Sequence, residues 1–278
     1  MVTVSETDLI RVGRIDFVNS DPVYHGIETG EVEGDMRLVE GFPAALNGML
    51  ERGEVDIAPI SSIEYARNSE EYYLLPDLSV SSRAEVGSVS LFSSVPAEDL
   101  DGATVALAST SATSVVLLKI LLDEKYEVSP DYTVREPDAR EMLSEADAGL
   151  VIGDHALLAA RDDSIDAYVY DLGHEWREHT DERFVYAVWA VRNDVPREDA
   201  LSVAEALQES KRAGYDSLDV IASELAEGMG LNVEYAERYL RMLDHDFTPA
   251  HRRGLKKYYE KAERIGELEE VPEITVKE

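Results

Sequence analysis

Short apolar runs alternate with amphipathic stretches over the first two thirds of the chain, and the last third changes to a helical period. Residues 9–17 read as a strand ending in the turn Asn19-Ser20-Asp21-Pro22. Residues 37–40 form a second strand, followed by a helix with Pro43 at its start and Gly53 past its end. A third short strand, 56–58, runs through Pro59-Ile60 into Ser61-Ser62, and a helix continues through Ala66. Residues 86–93 make another apolar strand. The pattern then restarts, with a strand at 104–108, a hydroxyl-rich turn at 109–114 and a strongly apolar helix at 115–122. A buried-type strand at 148–152 turns at Gly153-Asp154 into a helix at 156–160, and 184–191 reads as a long strand. From Asp199 strand signals stop. Three or four helices are expected up to about Gly266, and 268–278 is expected to be extended or frayed.

Alternation of this kind argues for an α/β fold with largely parallel sheets, and two such sets argue for two lobes. The strands at 86–93 and 184–191 are expected to be the crossovers. Lobe I is then discontinuous, 1–93 plus 191–278, with 94–190 inserted as lobe II. No internal repeat of solenoid period and no low-complexity linker interrupts this plan.

Charge changes the picture of the surface. Asp and Glu number 58 against 26 Lys and Arg, for a formal net charge of −32. The acids are spread through helical and strand patterns rather than gathered in a tail, so they belong to a folded surface. Such a surface repels itself at low ionic strength, whereas at roughly 1 M salt the Debye length is about 3 Å and the repulsion is screened. A salt-accumulating, halophilic host is expected. No basic stripe is present to neutralise phosphates, so nucleic acid is not an expected partner. No apolar run approaches the ~20 residues that span a membrane, and residues 1–8 are polar and acidic without a signal-like segment or lipid-anchor cysteine. The expectation is a cytoplasmic protein, not associated with membranes.

The chain has no cysteine, which excludes disulfides and thiolate chemistry, and its six histidines show no metal-ligand spacing. No metal and no cofactor are expected. Nucleophile elbows and phosphate-binding glycine loops are also absent. Candidate chemistry therefore sits at the carboxyl ends of strands, where open α/β sheets bind ligands. Four turns fall there: Asn19-Ser20, Ser61-Ser62, residues 109–114, and Gly153-Asp154. Ser109, Thr110, Ser111 and Thr113 lead into an apolar helix, an arrangement that serves either as a seat for a carboxylate or phosphate or as ordinary helix capping. Ser61-Ser62 poses the same choice. His155 stands beside the Gly153-Asp154 turn, as a base or as a surface residue. His25, His174 and His179 read as structural or solvated.

Several ordered blocks resemble the chorismate dehydratases, which open the futalosine route to menaquinone. They are residues 11–24 (RVGRIDFVNSDPVY), 53–60 (GEVDIAPI), 75–78 (LPDL), 85–89 (EVGSV), 107–115 (LASTSATSV), 146–154 (ADAGLVIGD) and 184–190 (FVYAVWA). The resemblance implies a two-lobed periplasmic-binding-protein-like (type II) fold with a cleft between the lobes. It also implies a hydro-lyase that converts chorismate to 3-[(1-carboxyvinyl)oxy]benzoate. Asn19 and Ser88 match the family's active-site Asn and Ser, and Ser61 and the turn from Ser109 to Thr113 match its substrate-binding loops. Asp21 departs from the pattern, since relatives commonly place an apolar residue before that proline.

Two alternatives share the fold. A 1,4-dihydroxy-6-naphthoate synthase-like enzyme of the same pathway is expected to carry a His directly after the strand ending at Ile152, where this chain has Gly153. A non-catalytic solute-binding protein is expected to carry an export signal.

Overall fold

The computed structural model describes residues 9–277; residues 1–8, the polar and acidic stretch, and Glu278 lie outside them. The chain begins with β1 (Ile10–Ile15), a 3-10 turn at Val18–Ser20, α1 (Asp21–Glu28), β2 (Met36–Gly41) and α2 (Pro43–Glu51). It continues with β3 (Ile57–Ser61), α3 (Ser62–Arg67) and β4 (Tyr72–Ser82). Next come β5 (Val89–Ser93), β6 (Thr104–Ala108), α4 (Ala112–Glu124), β7 (Asp131–Arg135) and α5 (Ala139–Glu145). After these follow β8 (Ala148–Ile152), α6 (Gly153–Ala159), β9 (Tyr168–Asp171) and α7 (Leu172–Thr180). The last part holds β10 (Phe184–Arg192), α8 (Arg197–Asp216), α9 (Leu218–Met229), α10 (Val233–Met242), β11 (Leu243–Asp244) and α11 (Pro249–Arg264).

Two sheets organise these elements. The first has the order β11-β4-β10-β3-β1-β2, and the second β7-β6-β8-β5-β9. Each combines three mutually parallel strands with antiparallel ones: β2-β1-β3 run parallel, as do β7-β6-β8. The rest join antiparallel. The sheets are therefore mixed rather than largely parallel.

Sheet membership moves the lobe boundaries from the expected 93 and 190. β5 pairs residue for residue with β8 from Val89↔Ile152 to Ser93↔Ala148, so residues 89–93 belong to lobe II. β10 lies between β3 and β4, so residues 184–192 belong to lobe I. The chain crosses between sheets within 83–88 and again within 172–183. Both crossings are tightly tied. The Asp171 carboxylate accepts N–H bonds from Val86, Gly87 (2.6 Å) and His174, which joins the outgoing segment to the returning one. A Cβ on Gly173 would lie 2.2 Å from the Ala84 carbonyl, so only glycine permits this approach. Trp176, Phe184 and Tyr258 pack edge to face beside it, with centroids 5.0–6.3 Å apart.

β4 was not legible as a strand because Pro76-Asp77 resembles a turn. Pro76 has no N–H for the ladder, and Asp77 takes φ 55°. The pairing jumps from Ser79↔Val188 to Leu74↔Ala190, and the residues between bulge out while the strand resumes. The tail is extended and anchored rather than frayed: Leu74 N–H donates to Thr275 O at 2.8 Å, and Thr275 N–H to the Tyr65 hydroxyl at 3.0 Å. Among the described residues no helix is long and apolar enough to cross a membrane.

Candidate active site

The cleft between the sheets receives the ends of β1, β3, β6 and β8, and the elements that follow them start there. Its inner part is a narrow cavity of about 80 Å³ lined by Asn19, Ser61, Ser88, Thr110, Ser111, Ser114 and Gly153 among apolar neighbours that include Phe17, Ile152 and Tyr186. It shares Pro43, Ser61 and Thr110 with a wider outer cavity of about 530 Å³, whose lining adds Asn47, Glu64, Asn68 and Ser109. No charged side chain lines the inner cavity among the described residues.

Asn19 stands in the 3-10 turn after β1. Ser20, fully buried, donates its hydroxyl to Ile15 O and Phe17 O, which folds the backbone back and leaves the Asn19 amide at the cleft. The Asn19 Oδ1 and Ser61 Oγ atoms are both buried and lack a hydrogen-bond partner. An unpaired buried polar atom typically costs about 1–3 kcal/mol, so two of them facing one cavity mark a place built for a polar guest. Asn47 Oδ1, in the outer lining, is in the same condition. Ser88 precedes β5 and is buried, and its carbonyl accepts the Gly153 N–H at 2.7 Å, which holds the starts of β5 and α6 together. Its hydroxyl meets the Tyr239 phenol, whose pKa burial raises and this contact lowers. Gly153 takes φ 60°, a left-handed turn that brings α6 to face Phe17.

The 109–114 turn divides its hydroxyls between roles. Ser111 caps α4: its Oγ accepts from Ser114 N–H and donates to Ser114 Oγ at 2.8 Å. Ser109 donates to Glu136 at 3.0 Å and reaches only the outer cavity. Thr110, exposed, lines both cavities. Thr113 lines neither. Its buried Oγ1 accepts the Ile63 N–H at 3.2 Å, so this threonine ties α4 of lobe II to α3 of lobe I rather than facing a ligand. Asp154 lies outside both linings too. Burial pushes its carboxyl up, with His155 acting against the shift and Asp16 adding to it. His155 is exposed and outside the cavities. The Asp21 carboxylate turns to Arg14 at 2.9 Å, which also pairs with Glu28, so this departure from the family pattern does not enter the cavity wall.

Sequence reasoning missed Phe17, Tyr186, Asn47 and Tyr239. Tyr186 lies within an apolar strand, and Tyr239 within a helix of mixed polarity, so neither carries a local signal. His174, Glu175 and Glu178 on α7 bring ligand-type atoms within 4.8 Å of one another, but Lys125 already pairs with both glutamates, and none of the three lines either cavity.

Two sheets joined by a doubled crossover, with strand ends and helix starts meeting in a cleft, define the two-lobed periplasmic-binding-protein-like class. Solved structures share this fold. A protein from Archaeoglobus fulgidus matches with TM-score 0.77 at 22% identity, over 95% of this chain and all of its own. The periplasmic aliphatic sulphonate binding protein of Escherichia coli matches with TM-score 0.66 at 15% identity, over 96% of this chain and 90% of its own. Within that class the chain belongs to the menaquinone biosynthesis family, whose model matches residues 10–264. The chorismate dehydratase of Thermus thermophilus is 35% identical over 260 residues, which cover 88% of this chain and 92% of that protein.

Proposed function

We propose that the protein is a chorismate dehydratase, removing water from chorismate to give 3-[(1-carboxyvinyl)oxy]benzoate. The observation that carries the reading is the meeting of Asn19 and Ser88, from lobe I and the start of β5, with Ser61, Thr110 and Gly153 around one uncharged cavity. The 35% identity to a relative of that activity over most of both chains supports it.

The chemistry suits a site with few titratable groups. Chorismate is a dianion, the chain carries a charge of −32, and in concentrated salt fields of either sign are screened within a few ångströms, so the attraction must be local. Hydroxyls and the first turn of α4 provide it without a lysine or arginine. The C3–H bond breaks, its electron pair completes the aromatic ring, and the C4–O bond breaks to release hydroxide, which leaves as water with the proton. The C3 proton is acidified through the ring diene and carboxylate. The substrate's own enolpyruvyl carboxylate serves as base when the cleft holds it within reach. Asn19 and Ser88 orient the ring and stabilise the charge that develops as hydroxide departs. Ser61 and Thr110, with the N–H groups that open α4, hold the carboxylates, while Ser111 and Gly153 shape the wall beside them and Ser109 stands at the outer rim. The acidic surface points to a salt-rich cytoplasm as the place of work.

Incubation of the protein with chorismate in concentrated KCl tests this directly, with products identified by mass spectrometry. A product lighter by one water, formed in the presence of EDTA and fading as KCl is diluted, is expected. Unchanged chorismate in concentrated KCl sinks the reading.

A further inference from the structure

We propose that His245 is a positioning residue for the dehydration, clamping the Asn19 backbone so that the Asn19 side chain stays on the reacting centre. The inference rests on the functional reading above, which places Asn19 in the chemistry. His245 follows β11 and is 1% exposed, far too buried to meet substrate itself. Its Nε2 lies 2.7 Å from the Asn19 carbonyl oxygen, a contact spanning 226 residues of chain. Its Nδ1 lies 2.8 Å from the Tyr215 hydroxyl on α8.

Only one protonation pattern satisfies both contacts for a neutral ring. A carbonyl oxygen accepts and never donates, so Nε2 carries the proton. Nδ1 is then the acceptor, and the Tyr215 hydroxyl donates to it. Burial, with Lys211 nearby, lowers the imidazole pKa to about 4, so the ring is neutral at physiological pH. The backbone of His245 is fixed as well. Its carbonyl accepts from Ser79 N–H at 3.2 Å and from Lys211 Nζ at 3.3 Å. The clamp is thus anchored on β4 and α8, and it grips the Asn19 turn from outside. The turn's own bonds through Ser20 hold Ile15 and Phe17. Loss of the clamp frees the Asn19 peptide to shift, and small displacements of an orienting group slow reactions steeply.

The test uses the full chain in concentrated KCl, with His245→Leu, His245→Gln and Tyr215→Phe, each also combined with Asn19→Ala. His245→Leu removes the donor and should lower kcat by about 10-fold or more, while KM stays within about threefold. His245→Gln can present an N–H to the Asn19 carbonyl and should recover most of the loss. In the Asn19→Ala background His245→Leu should cost no further rate, because the side chain it positions is gone. Long-range 15N–1H spectra of the unaltered protein should show His245 protonated on Nε2, and this readout holds even where His245→Leu fails to fold. Tyr215→Phe, which frees Nδ1, should give a smaller loss in kcat in the same direction. A ring protonated on Nδ1, a kcat near normal in His245→Leu, or an equal further loss on top of Asn19→Ala overturns the clamp. Full turnover in Asn19→Ala overturns both the clamp and the role of Asn19, and absence of any product from the unaltered protein overturns the functional reading itself.

Discussion

The Asn19 turn in lobe I and the 109–114 turn in lobe II both follow a strand into the cleft, yet they prepare their side chains in opposite ways. Around Asn19 the neighbours carry the structural load. Ser20 bonds the turn backbone, His245 bonds the Asn19 carbonyl, and the Asn19 Oδ1 is left without a partner at the cavity. In the 109–114 turn the hydroxyls satisfy the protein itself. Ser111 caps α4, Thr113 bonds Ile63, and Ser109 bonds Glu136, which leaves Thr110 for a guest. In the proposed reading the first arrangement suits a group that acts in the transition state, because a dipole held rigid by its neighbours stabilises developing charge without reorganising. In the same reading the 109–114 wall only holds a carboxylate and needs less.

The contrast is most easily broken at its strongest point. Asn19→Ala and Ser88→Ala should each lower kcat by about 10²–10³-fold, the usual cost of removing one preorganised donor; the thermal midpoint should change little in Asn19→Ala, whereas Ser88→Ala also takes a partner from the buried Tyr239 hydroxyl and should cost about 1–3 kcal/mol of stability. Steady-state rates in concentrated KCl decide it, and a near-normal kcat in either variant removes that residue from the mechanism. On the opposite wall, Thr110→Val should raise KM by about 10-fold, as expected for one hydrogen bond to a charged group, and leave kcat almost intact. Ser111→Ala sharpens the comparison further. It should cost about 1 kcal/mol of stability through loss of the α4 cap while turnover barely moves; a loss of kcat as large as that of Asn19→Ala would show that lobe II also takes part in the chemical step.

The smallest expected effect lies behind the Asn19 turn. Burial raises the Asp21 carboxyl to about 6 from an ordinary 3.8, with Arg14 opposing the shift and Glu28 adding to it. The folded state then holds that proton more tightly than the unfolded chain does. Stability should fall as pH rises between about 4 and 6, and above 6 the cost is fully present. Asp21→Asn should flatten this segment and stabilise the protein at pH 7 by on the order of 1 kcal/mol, less than the ~3 kcal/mol of the full shift because Arg14 loses a partner. Thermal midpoints across pH 4–8 in KCl measure it, and an unchanged pH profile contradicts the burial of Asp21.

Much of the architecture was legible from local pattern. β6 and β8 were read at 104–108 and 148–152, where the structure has them, because short fully apolar runs between turn residues allow little else. β7 and β9 were missed. They are the edge strands of the second sheet; β7 is mostly exposed and carries charges at both ends, and β9 is only four residues long, too short for an alternation to show. The candidate turns were found for the same reason as the strands, since strand ends locate them. Which of their hydroxyls face the cleft was not, because that depends on partners such as Ile63 and Glu136 that lie far away in sequence.

The sequence alone determined the alternation of strands and helices, the carboxylate-rich surface, the absence of thiol chemistry and the family blocks that single out Asn19 and Ser88. All of these follow from residue type and near-neighbour spacing. Tertiary structure decided where the chain crosses between the sheets, because β5 and β10 are equally apolar and only their pairing with β8 and with β3 and β4 assigns them to a lobe. It also decided the fate of the polar groups. Thr113 became a tie between lobes, Asp21 turned to Arg14, and a histidine near the end of the chain came to hold the turn at its beginning. A buried hydrogen bond is set by the geometry of both partners, and no local pattern carries the position of the second one.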